Sequence, residues 1–370
     1  MRPVLLPAAR RLWRDRRTLQ LRHPSSRATV LGPLDEGCRA VLALLDGTRS
    51  PEQVLAQAPE AGCDVGRATQ LLDLLGGAGL LLDADRLHAG LAGLDRSERD
   101  RLAPDLASLA LVHGELAGAA LAARRGARVR VQGAGRVGAP LAALLSTAGV
   151  GFVEVFDDDL TRPQDLGVGG LTAADVGRPR GAAVGDRLPR RPRDPRSSPA
   201  GGRTTLPDLV VLTDRGALDT SPSLLRLDVP HLVALVREDV GQVGPLVLPG
   251  RSACLTCLDL VRTGLDPGWP ALAVQLDQAT RSVPACDGVL AVAVAAQAAL
   301  QALELLERQR TPATVGGTLE LELPGWRWRR RSWPQHPECP CCWLRAADGG
   351  GAWLVAVPDD LPAGPLAATG

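Results

Sequence analysis

The chain has 370 residues and a mass of 38.7 kDa, more than one compact core usually holds, so two or three domains are expected. Hydrophobic residues make up 45% and charged residues 22%, which excludes a wholly disordered chain, and a net charge of +1 gives no field drawing it to nucleic acid or an anionic membrane. Lys, Asn, Ile and Tyr are absent, so each long cationic side chain is an arginine, and any motif that wants Lys or Asn must use a substitute.

The start, Met1 to Pro7, lacks the apolar core of a signal peptide, and a cytoplasmic location is expected. Residues 1–90 read as a small unit. Strands are predicted over Thr18–Arg22 and Ala28–Leu31. A helix follows on Leu34, Cys38, Val41, Leu42 and Leu45; a second starts at Ser50-Pro51-Glu52-Gln53; a third runs on Val65, Ala68, Leu71, Leu72 and Leu75. Leu80–Leu82 closes the unit as a strand, giving a winged-helix-like pattern. Its third helix carries one cation, Arg67, against Asp64 and Asp73, so no nucleic-acid partner is expected. Residues 91–125 are predicted to be a helical connector.

From Ala127 a strand, a glycine-rich turn and a helix follow, with Gly133, Gly135 and Gly138 in the turn. A second strand ends in Asp157-Asp158-Asp159. This is the pattern of a nucleotide-binding βαβ unit. Glycines let the backbone approach a phosphate, the helix N-terminus favours an anion, and Asp157 is positioned to accept from a ribose hydroxyl. Arg187–Arg203, rich in Arg, Pro, Ser and Gly, is expected to be a disordered loop. The most apolar stretch, Val289–Leu306, carries Gln297, Gln301 and Glu304 on one helical face. A buried helix with a wet stripe is predicted there, and no membrane partner.

Cys254-Leu255-Thr256-Cys257 and Cys339-Pro340-Cys341-Cys342 hold two CxxC pairs, which together can offer four thiolates to a tetrahedral Zn²⁺: Cys254, Cys257, Cys339 and Cys342, with Cys341 as an alternative fourth ligand. Cys286 precedes the long apolar helix and is expected to be a small residue at its entry rather than a nucleophile. His231 is expected to be a satisfied core histidine. The segment Trp326–Trp333 is predicted to be a strand beside the zinc site with its Trp side inward, or a surface for an acidic or aromatic partner. Residues 344–370 are expected to be disordered.

Two resemblances follow. Leu34-Asp35-Glu36 through Leu45-Asp46-Gly47-Thr48, then helices ending in Gly79-Leu80-Leu81, resemble the PqqD-like domains that bind leader peptides in ribosomal peptide maturation. The ordered set of the Gly133 turn, the Asp157 strand end, Gly177-Arg178-Pro179-Arg180, Thr213-Asp214, Gly241–Leu246, the CxxC pairs and Cys286–Leu290 makes residues 126–343 resemble the ThiF/MoeB family, relatives of the ubiquitin-activating enzymes. That implies an α/β fold: a Rossmann-like nucleotide-binding domain with a mainly parallel sheet, a zinc site and commonly a homodimer. It implies ATP and Mg²⁺ as cofactors, with Gly133, Gly135, Gly138, Asp157 and Asp159 at the nucleotide, Arg180 in place of a phosphate-binding Lys, and Asp214 near the Mg²⁺ ligand. The implied activity is adenylation of a carboxyl group on a peptide or small carrier protein. The sequence departs from the family where an Asn has become Asp165 and the ATP-contacting Arg is Val168. The alternative is a non-catalytic leader-peptide-binding scaffold that partners a YcaO-type cyclodehydratase.

Overall fold

A computed structural model describes residues 1–21, 28–189, 206–214, 218–277 and 285–341. The Arg-rich loop beyond 189, Cys342 and the tail lie outside these residues. Strand β1 (Pro3–Leu5) pairs antiparallel with β5 (Leu81–Asp83) and ties the start of the chain to the end of its first unit. Between them β2 (Arg11–Trp13), β3 (Leu19–Leu21) and β4 (Thr29–Leu31) form an antiparallel sheet in that order, leaving β4 on an edge. Helices α1 (Glu36–Leu44), α2 (Pro51–Gln57) and α3 (Val65–Gly77) start where side chains satisfy their first N–H groups. Asp35 and Asp64 accept from Cys38 and Arg67, and Ser50 with Gln53 forms a reciprocal capping box. The apolar faces of these helices bury Val41, Leu42, Val54, Ala68, Leu71 and Leu75.

Helices α4 (Ala84–Ala89), α5 (Arg96–His113) and α6 (Ala117–Gly126) continue the same core through Leu87, Leu102, Leu106 and Leu121. The other side of this helical segment is bolted to the body. Arg124 on α6 donates from Nε to Glu307 at 2.8 Å, and His113 Nε2 lies 3.0 Å from the same carboxylate. All three side chains are almost fully buried, so the pair holds only because each charge has its partner.

The body is built on a seven-stranded sheet in the order β12-β11-β10-β9-β8-β6-β7. Strands β6 (Arg128–Gln132), β7 (Phe152–Phe156), β8 (Leu209–Leu212) and β9 (His231–Arg237) are parallel neighbours; β10 (Val240–Val247), β11 (Gly317–Glu322) and β12 (Arg327–Ser332) continue the sheet antiparallel. Between β6 and β8 lie α7 (Gly138–Thr147) and α8 (Arg180–Gly185). Helix α9 (Ser221–Arg226) covers one face, with α10 (Leu255–Leu265) and α11 (Trp269–Asp277) beyond it; α12 (Gly288–Glu307) packs on the other face with α7. The predicted wet stripe on α12 is corrected in part: Gln301 is buried, and its Oε1 accepts from the N–H and hydroxyl of Thr314 at 3.0 and 3.1 Å. An isolated polar side chain in an apolar helix thus anchors the turn before β11.

His231 is buried at the start of β9, as its apolar strand implied. Its Nδ1–H donates to the Val229 carbonyl at 3.1 Å, and Nε2 accepts from the Ser221 hydroxyl at 2.8 Å. Burial pushes the imidazole below its ordinary pKa, outweighing the opposite push from Val229. The folded chain keeps it neutral while the unfolded chain takes up a proton below about pH 6.5, so stability falls on acidification, by at most about 1.4 kcal/mol per pH unit. The urea midpoint is therefore expected to drop more between about pH 7.5 and pH 5 in the native chain than in His231→Gln. Equal drops would remove His231 from the acid response.

Candidate functional site

The glycine turn lies where β6 ends and α7 begins, at the carboxyl edge of the parallel strands, where open α/β sheets bind ligands. Gly133 has φ +95°, and a Cβ there would run into the Asp214 carboxylate and the Thr213 hydroxyl. A Cβ on Gly138 would strike the Gly133 carbonyl. Both positions require glycine. Thr213 locks the turn from below, its hydroxyl donating to the Gln132 and Gly133 carbonyls at 2.9 and 2.8 Å. Above Gly135 there is room, since a Cβ would meet only Arg180 Nη1 at 3.9 Å. The turn thus brings together Gly133, Gly135, Gly138, Asp157, Arg180 and Asp214; Asp159 stands at the rim, 79% exposed.

The charges around this turn are already engaged with one another. The Asp157 side chain is only 6% exposed; its Oδ2 accepts the Ala134 N–H at 2.7 Å and lies 3.0 Å from Arg180 Nε, while Oδ1 accepts the Asp159 N–H at 3.0 Å. A carboxylate has about four acceptor positions, and the Ala134 and Asp159 N–H groups take two of them; Arg180 Nε is a close charge that forms no hydrogen bond there. Arg180 is held by three carboxylates, with Asp159 at 2.6 Å and Asp165 at 3.5 Å completing the set. Arg136, inside the turn, is spent on the Cys286 carbonyl at 2.5 Å, which ties the turn to the entry of α12. Val168 points into solvent, 82% exposed. The backbone therefore fits a phosphate, but the charge set does not fit a triphosphate. Four carboxylates face two guanidinium groups: Arg180 is paired with three of them, so a polyanion would have to compete with those pairs, while Arg136 bonds only the neutral Cys286 carbonyl.

Cys286 shows no sign of nucleophilic activation. Burial raises its pKa, with Arg136 only partly opposing, so the thiol stays protonated at neutral pH.

A second concavity lies in the first unit. A groove of about 500 Å³ runs between β4 and α3, walled by Leu31, Leu34, Leu71 and Leu74, with Asp64 and Arg67 at its mouth. Leu74 is 63% exposed and Val30, on the edge strand, 47%. Arg67 is fixed there by Asp35 at 2.9 Å and by the Pro33 carbonyl at 3.2 Å. An open strand edge beside an apolar trough accepts an extended polypeptide by adding it as a further strand.

The cysteines from distant segments do meet. Cys254 Sγ lies 3.8 Å from Cys257 and 3.6 Å from Cys339, and Cys254, Cys339 and Cys341 have all their sulfurs within 4.8 Å of one another. Cys341, one of the two candidates for fourth ligand, joins the cluster; Cys342 lies outside the described residues. Zinc–sulfur bonds of about 2.3 Å give a tetrahedron with edges of about 3.8 Å, so the Cys254–Cys257 and Cys254–Cys339 spacings fit a Zn²⁺, while Cys257 falls outside the set whose sulfurs all lie within 4.8 Å of one another. Burial and the neighbouring Cys257 and Cys254 thiols push Cys339 up to about 12, so a bound metal would have to displace protons from this cluster.

No protein-family model matches the chain, and no curated protein matches it in sequence. Solved structures do match. Escherichia coli MccB in complex with MccA-N7isoASN superposes with a TM-score of 0.65 at 14% identity, covering 92% of this chain and 99% of that one. The chain has the fold of MccB. MccB bound to ATP gives a TM-score of 0.66 at 14% identity over 92% of this chain and 100% of that one. The heterocyclase TruD matches with a TM-score of 0.57 at 16% identity over 92% of this chain, which spans 42% of TruD. The α/β architecture with a largely parallel central sheet expected from the sequence is thus the observed one, and the superposition on MccB takes in 92% of the chain. The sequence did not reveal that Asp165 and Arg136 would tie up the turn. Asp165 at the Asn position was the one available signal.

Proposed function

We propose that this chain is a leader-peptide-binding scaffold of ribosomal peptide maturation, in which residues 1–90 act as the recognition domain and the MccB-like body, residues 126–343, has given up adenylation. The observation that carries the reading is the edge position of β4, outermost in its sheet among the described residues, beside its apolar groove. An extended leader segment would pair with β4 and set apolar side chains against Leu71 and Leu74, with Arg67 and Asp64 reading a polar neighbour. The likeness to MccB, solved with the peptide MccA, and to the heterocyclase TruD supports a peptide as the ligand and a role beside a cyclodehydratase. A YcaO-type enzyme is the partner proposed for the body, and a Zn²⁺ on Cys254, Cys257, Cys339 and Cys341 would hold α10 to the segment after β12. When bound, that ion supplies structure and no chemistry, because four thiolates leave no open position.

The loss of adenylation follows from charge. Activating a carboxyl group needs cations on the polyphosphate and a carboxylate for Mg²⁺. Here Asp214 is present, but Arg180 faces Asp157, Asp159 and Asp165, and Val168 offers no charge. Titration of the full chain with Mg-ATP is expected to give no heat and no thermal stabilisation. One observation favours a second reading: the glycine turn is intact, with Asp214 directly over Gly133. Under that reading Mg-ATP binds, and Asp214→Ala abolishes the binding. Saturable ATP binding by the native chain would therefore replace the scaffold reading with an ATP-dependent adenylyltransferase.

A further inference from the structure

Among the described residues β12 is the outermost strand of the large sheet. It pairs with β11 in unbroken register, Arg327 opposite Glu322, Arg329 opposite Glu320 and Arg331 opposite Thr318. The Trp333 N–H donates to the Gly316 carbonyl at 2.8 Å. Hydrogen bonding alternates along an antiparallel pair. Trp328, Arg330 and Ser332 therefore turn their N–H and C=O groups outward, away from β11. The expectation that the Trp side packs inward holds for Trp333, which is buried, but Trp326 and Trp328 are 48% and 38% exposed. Among the described residues no apolar layer covers either face of the strand, and five of its six residues are exposed.

Its arginines differ in what they do. Arg330 is tucked down, donating to the Ala313 carbonyl at 2.8 Å and the Ser332 hydroxyl at 2.6 Å, and Arg331 reaches Glu320 at 3.5 Å. The side chains of Arg327 and Arg329 make no hydrogen bond or ion pair among the described residues. They project from one face two residues apart, about 6.8 Å, the repeat at which alternate side chains of an added strand would stand. A cationic edge repels cationic strands and leaves acidic ones unopposed.

We infer that the open edge of β12 docks an acidic, extended segment of a partner protein, which adds as a strand with its carboxylates on Arg327 and Arg329. A polypeptide fits better than a nucleic acid. The outward row offers alternating donors and acceptors, which a phosphate chain cannot use fully, and Glu320 and Glu322 on the arginine face repel a continuous anion while tolerating spaced carboxylates. This site is separate from the β4 groove and stands whether or not that groove binds a leader.

The test uses the full chain and a fluorescein-labelled peptide of about ten residues alternating Glu and Val, long enough for one strand, read by anisotropy. The peptide is expected to bind, and Arg327→Glu with Arg329→Glu to weaken it at least about tenfold, consistent with loss of two charge-assisted contacts. N-methylation of alternate backbone nitrogens in the peptide is expected to weaken it as much. Both arginines are exposed, so an unchanged melting temperature serves as the check that the variant is folded. Absence of binding, equal binding by the double variant or by the N-methylated peptide, or tighter binding of an oligothymidylate of equal charge would each overturn the proposal. Binding that appears only after removal of residues 342–370 would assign the edge to the chain's own tail and overturn it as well.

Discussion

Cys254→Ser is expected to take the protein from about one zinc per chain to near none by elemental analysis and to lower its melting temperature by at least about 10 °C. Cys254 caps α10 and is fully buried with Cys257 and Cys339 among Val247, Ala253, Leu258 and Trp333. That small cluster is the only described apolar packing between α10 and the segment after β12, and it is far smaller than the core on the α12 face of the sheet. A structural zinc contributes on the order of 10 kcal/mol to the fold that holds it, so its loss outweighs the one hydroxyl-for-thiol exchange. For a chain of this length each kcal/mol moves the midpoint by about 1–2 °C, so a loss of that size lowers it by about ten degrees. Cys286→Ser, a thiol remote in function from the cluster, is expected to keep the metal. Zinc content and melting temperature unchanged in Cys254→Ser would show that the thiols are merely neighbours.

Leu74→Asp is expected to weaken binding of the precursor's leader peptide by about 10- to 100-fold while leaving the melting temperature within about 2 °C of native. Leu74 sits on the open wall of the groove, more than half exposed before any ligand arrives. Burying a leucine side chain is worth about 1.5–3 kcal/mol, and a carboxylate in the same trough reverses the gain. The fold loses little because Leu71 and Leu75, on the inward side of α3, carry its packing. Anisotropy with a labelled leader peptide checks this. Equal affinity in the variant would place the peptide elsewhere on the chain.

The sequence made the nucleotide-type turn legible because two periodicities and three glycines coincide within one short segment, and two of them, Gly133 and Gly138, sit where a Cβ would clash. The three helices of the first unit were legible through their caps, since Asp35, Ser50 and Asp64 act locally. Strands β1 and β2 were not: each has three residues, too few for alternation to register, and β1 exists only because β5 returns from nearly eighty residues away. The state of Arg180 was hidden for the same reason. Its role is set by Asp157, Asp159 and Asp165, which lie fifteen to twenty-three positions away and converge only in space. Gln301 looked like part of a solvated face because its partner, Thr314, lies beyond the end of α12.

The chain is read here as one that holds a peptide without activating it, and ATP–pyrophosphate exchange tests that most directly. With Mg-ATP, labelled pyrophosphate and the full precursor peptide at a concentration that saturates the groove, exchange is expected to stay at the level of the protein-free blank. Exchange that depends on the peptide, and that disappears in Asp214→Ala, would contradict the account: the Gly133 turn would then hold a reacting triphosphate despite the carboxylates around Arg180.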